Sequence, residues 1–189
     1  MAISDEKREL REMLKLRAAA LPESYTRRAD KQICESVIST PEYKRAQTVF
    51  CFVGRPAEID TRLILEDALR SGKRLCVPKC VSDGVMEARL ITSLSDLSPA
   101  KHGLLEPDPS KSGLVFPQEI DFAVIPCVTC DHFGSRLGFG GGYYDRYLQG
   151  ADFFKCMVCR SELISEKVPR ESFDVIPDML ITEVLMLKM

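Results

Sequence analysis

The sequence predicts an α/β fold, a sandwich whose mostly parallel sheet is covered by helices on both faces. Short and almost entirely apolar segments recur along the chain, as at 48 to 53 and 121 to 128, and such runs are typical of strands buried on both sides. Amphipathic segments of helical period lie between them, as at 59 to 72. Because parallel strands must be joined by a crossover, usually a helix, this alternation indicates a parallel sheet.

Two helices precede the first predicted strand. Ser4 supplies an N-cap, with acidic residues in the first turn, for a helix that reaches about Leu21. Its Lys7 and Arg11 are four residues apart, which directs both cations to one side. A second helix follows Pro22, and its apolar face carries residues at four-residue spacing, namely Ala29, Ile33 and Val37.

Strands and helices alternate in the rest of the chain. Strands are predicted at 48 to 53, 73 to 78, 121 to 128, 153 to 159 and 179 to 187, and helices at 59 to 72, ended by Gly72, and from GGYYDRYLQ onward. The segment between residues 81 and 119 is rich in turns, and VMEARLI within it is predicted to form a β excursion.

The composition limits both the size and the partners of the protein. A chain of 189 residues, 45% of them hydrophobic and 29% charged, is expected to fold as a single domain spanning 1 to 189. A formal net charge of -2 lacks the basic surplus that nucleic-acid binding requires. We therefore expect no nucleic-acid partner. The expected partner is a small molecule, and the protein is expected to be a monomer.

The start of the chain, MAISDEKRELREML, is charged and lacks the apolar core of a signal sequence. No segment approaches the roughly 18 apolar residues that a membrane helix needs. These observations predict a cytoplasmic protein that does not bind membranes. Its cysteines are then expected to be reduced, and most of them to serve as small buried apolar residues.

Four of the cysteines raise the possibility of a zinc site, since Cys127-x-x-Cys130 is followed by Cys156-x-x-Cys159. The 25 residues between the two pairs exceed the spacing of roughly 15 to 20 in the usual zinc motif. Cys156 and Cys159 also lie within a predicted strand, where residues three apart point to opposite faces. We therefore expect Cys156 and Cys159 to fill core positions and Cys127 and Cys130 to straddle the end of a strand. A zinc-dependent interaction module is the alternative.

The segment RLGFGGGYYDR follows the apolar strand at 121 to 128 and leads into a helix. In open α/β sheets, ligands bind at the carboxyl ends of the strands. Closely spaced glycines let successive backbone N–H groups turn toward an anion, and the start of the helix adds positive potential. The segment is neither a GxxxxGK[ST] loop nor a GxGxxG motif, so its flanking residues must indicate the ligand.

Charged and aromatic residues flank these glycines. Arg136 and Arg146 can neutralise phosphate oxygens, and Asp145 can hold Mg²⁺. Tyr143 and Tyr144 offer flat apolar faces with hydroxyl ends. Together these residues predict a site for a nucleoside triphosphate. The alternative is a solvated turn whose charges do not converge.

At these residues the sequence resembles the 5-formyltetrahydrofolate cyclo-ligases, also called 5,10-methenyltetrahydrofolate synthetases. The similarity covers nearly the whole chain, in the family's order, and includes the N-terminal K-x-x-x-R, VFCFVGRPAEIDT, GKRLCVPK, HGLLEPD, GSRLGFGGGYYDRYL and SFDVIPDMLITEV. It implies a three-layer α/β/α fold similar to those of ribose-phosphate isomerases and CoA transferases. It also implies an enzyme that uses ATP and Mg²⁺ to convert 5-formyltetrahydrofolate into 5,10-methenyltetrahydrofolate, releasing ADP and phosphate.

The resemblance further implies roles for individual residues. It assigns catalysis to Lys7, Arg136 and Tyr144, and magnesium binding to Asp145 and Asp178. The residues that it places around ATP are Lys7, Arg11, Arg136, Leu137, Gly138, Phe139, Gly140, Gly141, Gly142, Tyr143 and Tyr144. The residues that it places in the folate pocket are Val53, Glu58, Tyr143 and Tyr144.

The implied chemistry is compatible with these residue types. Phosphorylating the formyl oxygen converts a poor leaving group into a good one, after which N10 of the folate can close the ring. For such a transfer a protein supplies mainly position and charge neutralisation. A second hypothesis is a relative that keeps the nucleotide loop but has lost or changed the folate chemistry, and it predicts nucleotide binding without folate turnover.

Overall fold

An eight-stranded sheet forms the centre of the computed structural model, which describes residues 2 to 189 apart from the side chain of His102. In chain order the strands are β1 Thr48–Cys51, β2 Arg74–Ser82, β3 Val85–Ile91, β4 Leu97–Pro99, β5 Leu105–Pro107, β6 Leu114–Val115, β7 Phe122–Ile125, β8 Thr129–Cys130, β9 Arg136–Leu137, β10 Phe154–Val158, β11 Met179–Ile181 and β12 Met186–Lys188. The order across the main sheet is β12-β11-β10-β7-β1-β2-β3-β6, and β4 with β5 and β8 with β9 form two small hairpins.

The middle of this sheet is parallel and its edges are antiparallel. Strands β11, β10, β7, β1 and β2 run in one direction, whereas β12, β3 and β6 pair antiparallel with their neighbours. The chain passes from β1 to β2 on one side and later returns to β7 on the other side of β1. The carboxyl ends of β1 and β7 therefore form a topological switch point, where α/β proteins bind their ligands.

Helices cover both faces of the sheet, which confirms the predicted three-layer α/β/α arrangement. The helices are α1 Ile3–Ala19, α2 Glu23–Ser39, α3 Pro41–Arg45, α4 Arg62–Arg70 and α5 Tyr143–Leu148. Buried side chains of α2, α3 and α4 share one apolar core, and those of α1 and α5 share the other. None of the described helices is both long enough and apolar enough to cross a bilayer.

The two cores explain why the strands are apolar throughout. All four residues of β1 are buried, with Val49 and Cys51 in the core beneath α2 and α4 and Phe50 in the core beneath α1 and α5. The ring of Phe50 stacks on Tyr147 of α5, with centroids 5.3 Å apart. Successive residues of a strand point to opposite faces, so a strand covered on both sides has no position for a solvated side chain.

The helix boundaries differ from the sequence prediction at two points. Helix α1 begins at Ile3 with Ala2 as its N-cap, because the N–H groups of Asp5 and Glu6 already bond to the carbonyl of Ala2; Ser4 is therefore inside the helix. Helix α4 begins only at Arg62, since the segment before it forms a loop at the carboxyl end of β1. That loop lines the functional site.

The predicted strand at 179 to 187 is two strands, so that prediction was wrong. The chain reverses after Ile181, and β12 returns antiparallel beside β11. The hydroxyl of Thr182 accepts hydrogen bonds from the N–H groups of Val184 and Leu185. Thr182 thus stabilises a tight turn that apolar periodicity alone does not reveal. In contrast, VMEARLI forms β3 against β2 as predicted.

Candidate active site

A cavity of about 920 Å³ opens at the carboxyl ends of β1, β2 and β7. Its walls are the loop after β1, the end of β2, the glycine-rich segment 137 to 142, the first turns of α1 and the segment around Asp174. The switch point of the sheet therefore coincides with this cavity. Elements remote in sequence meet here because parallel strands bring all their carboxyl ends to one edge.

The glycine-rich segment leaves the β8–β9 hairpin and enters α5. Gly140 has a φ of 101° and Gly142 a φ of 67°, conformations that residues with a Cβ rarely adopt. Gly142 is the N-cap of α5. This helix has only six residues, so its dipole contributes little, and the loop depends on neighbouring side chains for positive charge.

We expect Gly142→Ala to lower the free energy of unfolding by about 1–3 kcal/mol, because it forces a side chain into a left-handed conformation. A Cβ there would also lie 2.9 Å from Nη1 of Arg146. Gly113→Ala is the matched control, since its Cβ would meet nothing within 4 Å and its φ is not in the left-handed region. Urea unfolding of both variants makes the comparison. Equal free energies of unfolding for the two variants would contradict the inferred backbone strain at residue 142.

Two arginines lie beneath the glycine-rich segment. Arg136 is buried in β9, where it donates to the carbonyl of Pro126 over 3.1 Å and to the carboxylate of Asp145. Its Nε has no hydrogen-bond partner in the described part of the chain. Nε of Arg11 donates to the carbonyl of Gly138 over 2.8 Å, and burial lowers the pKa of Arg11. Arg11 and Arg136, which were both predicted to contact phosphate, therefore meet at one wall of the cavity.

Lys7 reaches the same cavity but is held by two carboxylates. Its Nζ lies 2.6 Å from Asp174 and 2.9 Å from Glu171. Burial alone would lower the pKa of Lys7, yet the hydrogen bonds to Asp174 and Glu171 outweigh it and the pKa is raised. Lys7 therefore remains a cation below and at neutral pH, and an anionic ligand would have to compete with these carboxylates. Neither acidic residue was predicted from the sequence.

The predicted folate residues Val53 and Glu58 lie on the loop after β1 and line the cavity. Glu58 accepts a hydrogen bond from the Arg55 backbone over 3.0 Å and pairs with the Arg55 guanidinium at 2.7 Å. Arg55 also lies 4.8 Å above the ring of Phe139. Arg55 was not predicted, although its position three residues before Glu58 in a loop at a strand end could have indicated it.

A buried ion pair holds this loop in place. Arg160, directly after β10, donates to both carboxylate oxygens of Asp30 in α2, at 2.7 and 2.9 Å. The same guanidinium donates to the carbonyl of Glu58 over 2.7 Å. The loop that presents Glu58 is thus fixed by Arg160, which follows β10, together with Asp30 of α2. The sequence does not reveal this network, since Asp30 and Arg160 are 130 residues apart.

The tyrosine pair begins α5 as predicted, and both side chains line the cavity. Tyr144 lies beneath the guanidinium of Arg136, with the ring centroid 5.9 Å away. Burial raises the pKa of Tyr144 well above its ordinary value. Its phenol therefore stays protonated near neutral pH, and it can donate a hydrogen bond but cannot act as a base.

A further ion pair completes the wall formed by β2. Lys79 lies 2.7 Å from Glu106, and the other oxygen of Glu106 accepts from the N–H of Cys80 over 2.9 Å. Glu106 belongs to the short strand β5, within the turn-rich region of the sequence. Both residues line the cavity, and neither was predicted as a site residue because the pairing of β2 with this region is a tertiary feature.

Two predicted contacts are not at the site. Asp178 lies at the amino end of β11, where its carboxylate accepts from the N–H of Lys155 over 2.7 Å. This edge is opposite the glycine-rich segment, so Asp178 and Asp145 cannot share one metal ion. Arg146 donates to the carbonyls of Gly84 and Gly141 at 2.8 and 2.6 Å. It joins the loop to the β2–β3 turn and does not line the cavity.

The fold and the cavity define the class of protein. A parallel α/β sheet carries, at its switch point, a glycine-rich loop supported by buried cations and faced by aromatic and carboxylate side chains. This combination is typical of enzymes that bind anionic small molecules.

Comparison with known proteins identifies the family. Residues 3–183 match the 5-formyltetrahydrofolate cyclo-ligase family, and the chain belongs to it. A probable 5-formyltetrahydrofolate cyclo-ligase of Schizosaccharomyces pombe is 30% identical over 197 residues, which cover 95% of this chain and 96% of that protein. The 5-formyltetrahydrofolate cyclo-ligase of Escherichia coli is 28% identical, covering 86% of this chain and 92% of its own.

Solved structures agree with this assignment. The 5,10-methenyltetrahydrofolate synthetase of Aquifex aeolicus superimposes with a TM-score of 0.85 at 31% identity, covering 96% of this chain and 92% of that chain. A 5,10-methenyltetrahydrofolate synthetase from Mycoplasma pneumoniae has a TM-score of 0.74 at 22% identity, covering 94% and 98%. The second comparison supports the fold alone.

Proposed function

We propose that this protein converts 5-formyltetrahydrofolate into 5,10-methenyltetrahydrofolate with consumption of ATP, in a reaction that requires Mg²⁺. The observation that carries the proposal is the convergence of Lys7, Arg11 and Arg136 on one cavity that is also lined by the glycine-rich segment. Membership of the cyclo-ligase family supplies the substrate class. The cavity volume of about 920 Å³ is sufficient for a substantial ligand.

The glycine-rich wall is the proposed ATP side of the cavity. Backbone N–H groups from Leu137 to Tyr144 would surround the phosphates, and the guanidinium groups of Arg11 and Arg136 would neutralise them. Nε of Arg136 has no hydrogen-bond partner among the described residues, so the protein does not satisfy every donor of this guanidinium. Lys7 would exchange part of its pairing with Asp174 and Glu171 for a phosphate oxygen. Position and neutralisation are what phosphoryl transfer requires of a protein.

Asp145 fits the requirements of a magnesium ligand. Its half-buried carboxylate lines the cavity, and Arg136 donates to one of its oxygens. The second oxygen takes no hydrogen bond from the described residues. Mg²⁺ prefers one or two carboxylates together with phosphate oxygens and water, and this geometry offers one carboxylate beside the proposed phosphate site. When bound, the ion would neutralise charge that develops on the transferring phosphoryl group.

The wall formed by the loop after β1 is the proposed folate side. Val53 and the rings of Tyr143 and Tyr144 provide apolar surface, and Glu58 provides a buried carboxylate. Glu58 is already neutralised by Arg55. We therefore assign Glu58 the role of orienting polar edges of the substrate and not the role of a base.

The proposed chemistry balances without a protein nucleophile. The formyl oxygen attacks the γ-phosphorus while the bond to the bridging oxygen of ADP breaks. N10 then attacks the formyl carbon, the C–O bond breaks as phosphate leaves, and the N10 proton passes to solvent. Arg11, Arg136 and Lys7 would stabilise the equatorial oxygens during transfer, and the protonated phenol of Tyr144 can donate to an oxygen that gains charge.

The direct test is an absorbance assay with 5-formyltetrahydrofolate, also called folinate, as the substrate. We expect methenyltetrahydrofolate to accumulate only when ATP and Mg²⁺ are both present. Folded protein that binds ATP, detected by calorimetry, but does not turn over folinate would support a relative with altered folate chemistry. Folded protein that neither binds ATP nor turns over folinate would contradict the proposal altogether.

A further inference from the structure

Three thiols from separate segments meet behind the cavity. Cys127 follows β7, Cys130 is in β8 and Cys159 follows β10, and all eight cysteines are free. The three sulfur atoms lie within 4.8 Å of one another. Cys130 is 0% exposed and Cys159 is 2% exposed, whereas Cys127 is half-buried. The cluster therefore has two fully buried members and one member nearer to solvent.

The fourth cysteine of the sequence motif is on the other side of the sheet. Cys156 is in the core beneath α2 and α4, and Cys159 is in the core beneath α1 and α5. The prediction that this pair cannot bind one ion is thus confirmed. The expectation of two core thiols and two strand-end thiols did not anticipate that Cys159 joins Cys127 and Cys130. Parallel pairing of β10 with β7 brings them together.

The spacing of the three sulfurs suits a single metal ion. Three thiolates at about 2.3 Å from a central ion are separated from one another by about 4 Å. Thiolates select soft cations such as Zn²⁺ and Cu⁺ over Mg²⁺. No histidine, aspartate or glutamate among the described side chains joins the cluster. We propose that Cys127, Cys130 and Cys159 form a three-thiolate site for one soft d¹⁰ cation, Zn²⁺ or Cu⁺.

This site adjoins the proposed ATP wall without being part of it. Cys130 pairs with Arg136 in the β8–β9 ladder, and Cys127 follows Pro126, whose carbonyl accepts from Arg136. A bound ion would join the ends of β7, β8 and β10 directly behind that arginine. Because the thiols converge only in the folded chain, the ion stabilises the native state by mass action. Each thiol that becomes a ligand releases its proton to solvent.

Metal loading of the full-length protein tests the site independently of catalysis. Reduced, metal-free protein is incubated anaerobically with Zn²⁺ in one arm and Cu⁺ in the other, desalted, and analysed by mass spectrometry and X-ray absorption. We expect about one retained ion per chain with sulfur ligands only from the protein, and a raised thermal midpoint. The arm that retains the ion against a competing chelator identifies the cation.

Cys159→Ala and Cys156→Ala form a matched pair, since both residues are buried cysteines near the end of β10. We expect Cys159→Ala to weaken retention by at least about tenfold and Cys156→Ala to leave it unchanged. If Cys159→Ala does not fold, Cys127→Ala replaces it. No retained ion in either arm, or equal retention in both variants, overturns the proposal. The thiols could also be protected from alkylation in a way that a reductant reverses and a chelator does not. That result would indicate a disulfide and would also overturn the proposed metal site.

Discussion

Replacing Asp145 by alanine is expected to reduce the proposed ATP-dependent turnover of 5-formyltetrahydrofolate by about a hundredfold or more. The reason is that Asp145 is the carboxylate that lines the cavity beside Arg136 and the glycine-rich segment. A metal ion that neutralises a transferring phosphoryl group contributes several kcal/mol to the transition state, and each 1.36 kcal/mol is about a factor of ten in rate. The measurement is kcat/KM across a magnesium titration, with circular dichroism to confirm folding.

Two controls separate the metal role from other effects of the change. Asp145→Asn retains an oxygen that can accept a hydrogen bond from Arg136, so it tests whether loss of that hydrogen bond alone explains the result. Asp178→Asn changes the carboxylate at the opposite edge of the sheet, beside Lys155, and we expect nearly wild-type turnover. Full activity of Asp145→Ala would remove the magnesium role from this residue. Loss of activity in Asp178→Asn with an intact fold would contradict the separation of the two carboxylates.

Replacing Asp30 by alanine is expected to lower the free energy of unfolding by about 3–5 kcal/mol, because it leaves the buried guanidinium of Arg160 without its charge partner. The pair is bidentate, and the two side chains are only 10% and 5% exposed. Arg160 also donates to the carbonyl of Glu58. We therefore expect a raised KM for folinate in addition to the loss of stability. Urea unfolding and steady-state kinetics measure the two effects.

The adjacent residue Lys31 provides the control for this change. Lys31 pairs with Glu35 on the exposed surface of the same helix at 3.7 Å, and such pairs contribute about 0–1 kcal/mol. Lys31→Ala should therefore be nearly neutral. A double variant, Asp30→Leu with Arg160→Met, should recover much of the stability, because a buried pair replaced by apolar residues is often neutral. A small effect of Asp30→Ala alone would show that water replaces the lost carboxylate.

The local sequence pattern predicted secondary structure correctly where the apolar residues of a segment all served to bury it in the core. The continuous apolar run at 121 to 128 corresponds to a strand buried on both faces, β7, and the four-residue spacing after Pro22 corresponds to the buried face of α2. Pattern failed where a single side chain redirected the chain. Thr182 creates a turn inside the apolar run at 179 to 187, and its hydroxyl is not distinguishable in sequence from that of a strand threonine.

The candidate site also contains residues that the local sequence predicts and residues that it does not. Its loop could be predicted because four closely spaced glycines and the tyrosine pair are neighbours in the chain. Spacing alone placed the cations of α1 on one side of the helix, and the family resemblance implied their role in the site. The acidic partners of Lys7 and Arg160 could not be predicted, since Lys7 is 167 residues from Asp174 and Asp30 is 130 residues from Arg160 in sequence. Only the folded chain shows that Lys7 is already paired and that Arg136 is buried against Asp145.

The sequence by itself determined the fold class, the order of most elements and the glycine-rich loop, because these depend on residues that are neighbours in the chain. The tertiary structure decided which charges meet. It placed Asp145 at the carboxyl edge of the parallel sheet and Asp178 at the amino edge, and it brought Cys159 to Cys127 and Cys130 while turning Cys156 away. Strand direction and strand order, which local spacing does not encode, fix these distances.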